Sequence, residues 1–331
     1  MRSEQANRLR LRSGSADGHY ESYFIRANHA KRALAFWVRY TIFSPTGQPK
    51  EAQGELWAIV FDGERNHHVA VKQAWPLIAC RFDPDDLAVE LPGARLGGGH
   101  ASGSCEAGGH HIVWDLRFAG GQSPLLLLPD GFYDGGFPKA KSLVGRPLAR
   151  FDGTLTVDGL RIDVQGWLGS QNHNWGRQHT DRYAWGQVAG FDDGHGESFL
   201  EVASAKLKVG PWWTPWITPI VLRHRGHEHR LNALGRSLRA RVSLRDFDWR
   251  FESGGDGVRL HGRIHAEHND FVGLRYANPP GGIKQCLNSK IARAQVTLRH
   301  ADGSTETLVS RGRAAFELLG DDTRHGVPMA C

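Results

Sequence analysis

The feature that most constrains this chain is its punctuation: short runs rich in aromatic and β-branched residues, broken by Gly, Pro, Asn or Asp almost throughout. Residues 33–43 read ALAFWVRYTIF, a turn follows at Pro45, Thr46 and Gly47, and residues 55–62 read ELWAIVFD before Asp62-Gly63. Runs of this kind joined by turn residues form hairpins. The pattern recurs at 67–73, 87–91, 111–118, 153–157 and 160–165, the last two joined across Asp158-Gly159. It continues at 182–191, 197–208, 217–225, 227–231, 239–243, 246–253, 257–265, 291–299 and 305–311. With 41 Gly, 15 Pro and 11 Trp against 2 Met, composition also favours turns, strands and an aromatic interior. The expectation is an all-β chain of antiparallel barrels or sandwiches, with helix confined to short pieces.

At 331 residues the chain suits two cores rather than one. Two barrels side by side are the economical arrangement, with a first at 17–180 and a second at 181–331. The halves echo each other faintly: RALAFWVRY and DRYAWGQVAG each place a Trp in an early strand and a polar residue two positions on, Arg39 and Gln187. Residues 1–16 are polar and lack the apolar centre of a secretory signal, which predicts a flexible N-terminal tail and a cytoplasmic chain. No apolar stretch approaches the ~20 residues of a membrane span. Cys80, Cys105, Cys286 and Cys331 are widely separated, as isolated reduced thiols would be.

The net charge of +6 is concentrated. Between Arg223 and Arg250, eight arginines face only Glu228, Asp246 and Asp248. This stretch reads either as a solvated strand face or as a contact for an anionic membrane surface. Nucleic acid is disfavoured, because neither a helix-turn-helix nor an aromatic single-strand motif accompanies it.

The densest cluster of polar and aromatic residues is GWLGSQNHNWG at 166–176, followed by Tyr183, Trp185 and Gln187. Strand alternation puts Tyr183, Trp185 and Gln187 on one face and Ala184, Gly186 and Val188 on the other. The first face suits a flat or polyene ligand, and the second suits close packing. Asn172, His173 and Asn174 either contribute to that site or satisfy loop backbone at a barrel end.

GWLGSQNHNWG and the following DRYAWGQVAGFDDGHGESFLEV resemble the junction of a tandem lipocalin-like superfamily. That group includes carotenoid 1,2-hydratase, kievitone hydratase and fungal intramolecular Diels–Alderases, with tocopherol cyclase more distant. The resemblance implies two fused antiparallel lipocalin-like β-barrels. His173 and Trp175 match the family's His and Trp, Trp185 matches a Trp of the second segment, and Asp192, Asp193 and Gly194 match its turn. Where the family has an Asp before the His, this chain has Asn172, and Asn174 replaces a residue that is often acidic.

The hydratases of the family imply an acid that protonates an alkene beside aromatic faces. An amide cannot supply that proton, so the candidates are His173, Glu201 in residues 199–202 and Asp181 before the Tyr183 strand, while a pericyclic or isomerising reaction needs only shape and hydrogen bonds. Asn172, Asn174 and Gln187 are the expected hydrogen-bond anchors, with Trp175, Tyr183 and Trp185 as the aromatic wall. Residues 275–290 read as a long loop that either covers a pocket with Tyr276, Lys284, Cys286, Asn288 and Lys290 or merely turns. The tryptophans of Pro-Trp-Trp-Thr-Pro-Trp at 211–216 are expected to be packed away from water.

No metal is expected, since His224, His227, Glu228 and His229 do not share one strand face. The sequence GGGHASGSC does not fit a nucleophile elbow, and no phosphate loop is present. The expected function is binding of a hydrophobic small molecule (terpenoid, polyene or polyketide-like) and its hydration, cyclisation or isomerisation without a cofactor. The alternative is a noncatalytic lipid or hydrophobe carrier that docks on anionic membranes through the arginines between 223 and 250.

Overall fold

A computed structural model describes residues 5–12, 14–255 and 257–331. The chain folds into two fused antiparallel lipocalin-like barrels, each a curled sheet. The first sheet has 12 strands and the second has 10, and a separate two-stranded hairpin joins Lys208–Val209 to Trp212–Trp213. In the first sheet β1 (His19–Asn28), β2 (Leu34–Ser44), β3 (Gln53–Asp62) and β4 (His67–Pro76) run as a meander. The long strand Leu160–Gly176 returns to pair with β1. Curling brings β4 against the strands His100–Ala107 and His110–Ala119. The second sheet starts at Arg182–Ala189 and places the last strand, Thr305–Gly320, beside it.

The early strands read as unbroken apolar runs because both of their faces are covered. In β1 and β2, Tyr23, Ile25, Phe36, Val38 and Tyr40 point into the first barrel. Their neighbours Phe24, Ala35 and Trp37, with Trp57, Ile59 and Phe61 of β3, point outward against Trp185, Leu274, Tyr276 and Leu319 of the second barrel. A third buried layer therefore lies between the two barrel cores. On Arg182–Ala189 the small face packs into the second core as alternation requires. A Cβ on Gly186 would stand 2.3 Å from Ile264 and 3.0 Å from the Trp249 ring.

Helix is short, as expected: among the described residues the α-helix is Leu234–Arg239, and no helix is long and apolar enough to cross a membrane. Five expectations change. His19–Asn28 is a strand where none was marked, and GWLGSQNHNWG, for which loop backbone at a barrel end was one of two readings, is the end of a 17-residue strand. The expected long loop at 275–290 is mostly Val272–Ala277 and Ile283–His300, paired across a tight turn at Gly281 and Gly282. Trp212 and Trp213 are 76% and 47% exposed, because their hairpin stands off the sheets.

The fifth change concerns the N-terminal segment, of which residues 1–4 and Ser13 lie outside the described residues. Ala6 is buried, its carbonyl accepts from His173 Nδ1 at 2.8 Å, and Asn7 accepts from Gln171 at 2.9 Å. The buried Glu21 carboxylate accepts the backbone N–H groups of Arg10 and Leu11 at 2.8 and 2.9 Å. The segment is held because it completes buried polar groups that would otherwise lack partners.

Two stability predictions follow from these contacts. A Cβ on Gly169 would lie 1.9 Å from the Arg26 carbonyl of the paired strand, whereas one on Gly196 meets nothing within 4 Å. Gly169→Ala should lower stability by about 2 kcal/mol in urea unfolding, as overpacking does, with Gly196→Ala close to wild type. Burial pushes the Glu21 carboxyl up, but hydrogen bonds from His173 and His19 and their charge outweigh it, holding the group at about 2. Its contribution, about 3 kcal/mol by linkage, is present above its ordinary value of 4.5 and is lost as pH falls toward 2. Glu21→Gln should remove most of that pH-dependent loss in urea midpoints measured across this window.

Candidate functional site

The layer between the barrels encloses a cavity of about 190 Å³. Its walls come from both sheets: Phe24, Trp37 and Arg39 from the first, and Tyr183, Trp185 and Glu201 from the second. Strand period explains the set. Trp37 and Arg39 alternate outward on β2, as do Tyr183 and Trp185 on Arg182–Ala189 and Glu201, Ala203 and Ala205 on Phe199–Lys206. Of the four residues in the faint echo between the two early strands, Trp37, Arg39 and Trp185 line this cavity and Gln187 does not.

Glu201 is the chemically notable wall residue. Its carboxylate accepts from Trp185 Nε1 at 2.7 Å and from Gln187 Nε2 at 2.8 Å. Burial raises it, and the hydrogen bonds from Trp185 and Gln187 together with the charge of Arg26 only partly oppose this, leaving it at about 7. A carboxyl in this range exists in both protonation states near neutrality, as a general acid requires.

Gln187 sets that geometry. Its Oε1 accepts from Arg26 at 3.1 Å and from Ser170 at 2.7 Å, while its Nε2 also donates to Asn172 Oδ1 at 2.8 Å. Asn172 in turn donates to Ser170 at 2.8 Å. The polar atoms of Gln187 and Asn172, expected to anchor a ligand, are spent on each other and on Glu201. Asn174 faces the cavity, and its Oδ1 is buried without a partner.

His173 borders the cavity, yet both ring nitrogens are occupied, Nδ1 by Ala6 and Nε2 by Glu21 at 2.8 Å. It stacks on Tyr23 on the first-barrel side of its strand, where Trp175 packs on Tyr133 and under Arg10. These two residues brace the N-terminal segment. Asp181 lies outside the cavity and accepts the Lys208 N–H at 2.9 Å, which roots the tryptophan hairpin. Tyr276 does line the cavity, and burial raises its phenol well above the ordinary value.

Three wall residues went unmarked in the sequence reading. Glu317 carried no motif, and Trp37 and Arg39 entered only as part of the echo. His179 is a fourth, stacked between Tyr20 and Tyr276, and burial followed by the charge of Arg39 lowers it to about 3, so it is neutral. The Asp192, Asp193 and Gly194 turn is structural: Asp192 and Asp193 pair with Arg311, and Asp192 also with Arg313.

Among the described residues, His195, His224 and Glu306 have metal-compatible spacing, with ligand atoms within 4.8 Å. His224 is already bound through Nδ1 to Ser198 and through Nε2 to Glu306, and Arg225 lies 2.7 Å from the same carboxylate. The arginine stretch is likewise laced with acids: Arg223 and Arg230 pair with Glu228, Arg241 with Glu252, and Arg250 with Asp248.

No protein-family model matches the chain, and no curated protein matches it in sequence. Solved structures do match. A protein described as an AttH from Nitrosomonas europaea aligns with a TM-score of 0.58 at 14% identity, over 94% of this chain and 96% of its own. Kievitone hydratase from Nectria haematococca aligns with a TM-score of 0.58 at 10% identity, over 92% and 89%. CghA solved with Sch210972 aligns with a TM-score of 0.50 at 14% identity, over 92% and 89%. At such identities the likeness is one of fold, and it bears out the architecture implied by GWLGSQNHNWG.

Proposed function

We propose that the cavity between the barrels binds a hydrophobic small molecule, terpenoid, polyene or polyketide-like, and converts it by hydration, cyclisation or isomerisation without a cofactor, with Glu201 as proton donor. The observation that carries this reading is one carboxyl at about 7 facing an aromatic cavity. The name of kievitone hydratase, a protein of the same fold, agrees with it. In a hydration, the Glu201 hydroxyl gives its proton to an alkene carbon, and the ring faces of Trp185 and Trp37 stabilise the resulting cation. Water then adds to the cation and returns a proton to the Glu201 carboxylate. The acid missing at Asn172 is replaced from the neighbouring sheet, since Gln187 bridges Asn172 and Glu201.

The test begins with native mass spectrometry of freshly purified protein and identification of any extracted ligand, which is then used as substrate. Glu201→Gln should retain binding and lose about a hundredfold to ten-thousandfold in turnover. Because the protonated form reacts, wild-type kcat should be level below pH 7 and fall about tenfold per unit above it, with a flat residual profile in the variant. Wild-type turnover in Glu201→Gln would refute the assignment.

A second reading, the noncatalytic carrier, is favoured by the exposed hairpin of Val209, Trp212 and Trp213. Leu207 at its root lines the cavity, and Lys206 and Lys208 flank it, a combination of tryptophan and lysine that suits an anionic bilayer surface. It predicts salt-sensitive sedimentation with phosphatidylglycerol vesicles, lost in a Trp212→Ala, Trp213→Ala double variant, and ligand recovered unchanged.

A further inference from the structure

The cations around the cavity are not all in direct contact with an acid. Lys290, fully buried, is matched by Glu317 at 2.8 Å, and Glu55 is taken by Lys72 at 2.7 Å. Arg39 is buried in the cavity wall, and the hydrogen-bond acceptor it has among the described residues is the Ser22 hydroxyl, at 2.9 Å from Nε and 2.7 Å from Nη2. Glu55 and Glu317 act on Arg39 through space and help to keep it charged, but neither carboxylate hydrogen-bonds it, whereas a buried Arg ordinarily meets its desolvation cost with a carboxylate in direct contact.

Two further groups beside Arg39 are also unsatisfied. The guanidinium lies 4.6 Å from the Tyr276 ring centre and 5.9 Å from that of Trp37. Trp37 Nε1 and Tyr276 Oη are buried without a hydrogen-bond partner, apart from the weak Cys286 thiol beside the tyrosine. All three residues line the same cavity, and all three can donate. Three donors, one of them cationic, make a receptor for an oxygen anion at the Arg39 end of a wall that elsewhere carries Glu201 and Glu317.

We infer that the ligand is amphipathic, an apolar body carrying an oxyanion head (a carboxylate or enolate) that sits on Arg39 and accepts hydrogen bonds from Trp37 Nε1 and Tyr276 Oη. This rests on the reading of the cavity as a hydrophobe site and narrows it to acidic hydrophobes. It also orients the ligand, with the head fixed on the first barrel at Arg39 and the body extending past Trp185 and Glu201 of the second.

The test compares probes that share a body and differ in the head: decanoate with decanol, and retinoate with retinol, titrated calorimetrically into the full chain at neutral pH. Each acid should bind at least about tenfold more tightly than its alcohol, as for a charge-assisted hydrogen bond. Arg39→Met, which keeps a stem to pack on Tyr276, should erase the difference, and Arg39→Lys should keep a reduced one. Near-ultraviolet circular dichroism checks that both variants retain wild-type packing. Equal binding of acid and alcohol to wild type, or an acid preference that survives in Arg39→Met, overturns the oxyanion head and leaves the hydrophobe reading standing. Failure of all four probes to bind overturns both.

Discussion

The side-chain amide of Gln187 is the joint on which the site depends. It stands on the first strand of the second sheet and uses its full hydrogen-bonding capacity: two donors to Asn172 and Glu201, and two lone pairs for Arg26 and Ser170. Arg26, Ser170 and Asn172 belong to the first sheet, so one amide ties the barrels together and aims Glu201 at the cavity. Fully satisfied buried networks impose a single geometry, because any shift leaves a polar group unpaired in low dielectric. Asn28 adds a parallel tie by donating to the Lys290 carbonyl at 2.6 Å, and Arg26 adds another through the Arg313 carbonyl at 3.0 Å.

Around that joint the two barrels divide the labour. Each keeps its own apolar interior, filled by residues such as Trp114 and Trp167 in the first and Trp249 and Phe316 in the second. The cavity described above lies in neither interior but between them. The outward faces of β1 to β3 and of the strands beside Arg182–Ala189 would be exposed apolar patches on separate barrels, and joining them covers those patches. The cavity is the part of the joint left unfilled, and burial of Glu201 in its wall raises that carboxyl to about 7.

The inward face of β1 shows the contrasting use of a buried carboxylate. Glu21 receives His173, His19 and two backbone N–H groups, and it falls to about 2. Glu201 receives two neutral donors and rises to about 7. Both are buried glutamates, and the number and charge of their partners separate a fixed anchor from a group able to exchange a proton.

The sequence by itself determined the strands and their faces. Turn residues at short spacing and a period of two sufficed for the all-β fold and for the split of Tyr183, Trp185 and Gln187 from Ala184, Gly186 and Val188, because those are properties of a single strand. The GWLGSQNHNWG stretch sufficed for the paired-barrel architecture, and the loop reading of 275–290 failed because Asn-Pro-Pro-Gly-Gly marks a turn without revealing that its flanks pair. Which glutamate is the unusual one was decided only by the tertiary structure. Asp181, His173 and Glu201 are equally titratable as letters, and a pKa depends on what lies within a few ångströms of the group in space. Arg39 and Trp37 likewise became cavity-wall residues only when a second barrel, some 150 positions along the chain, closed over them.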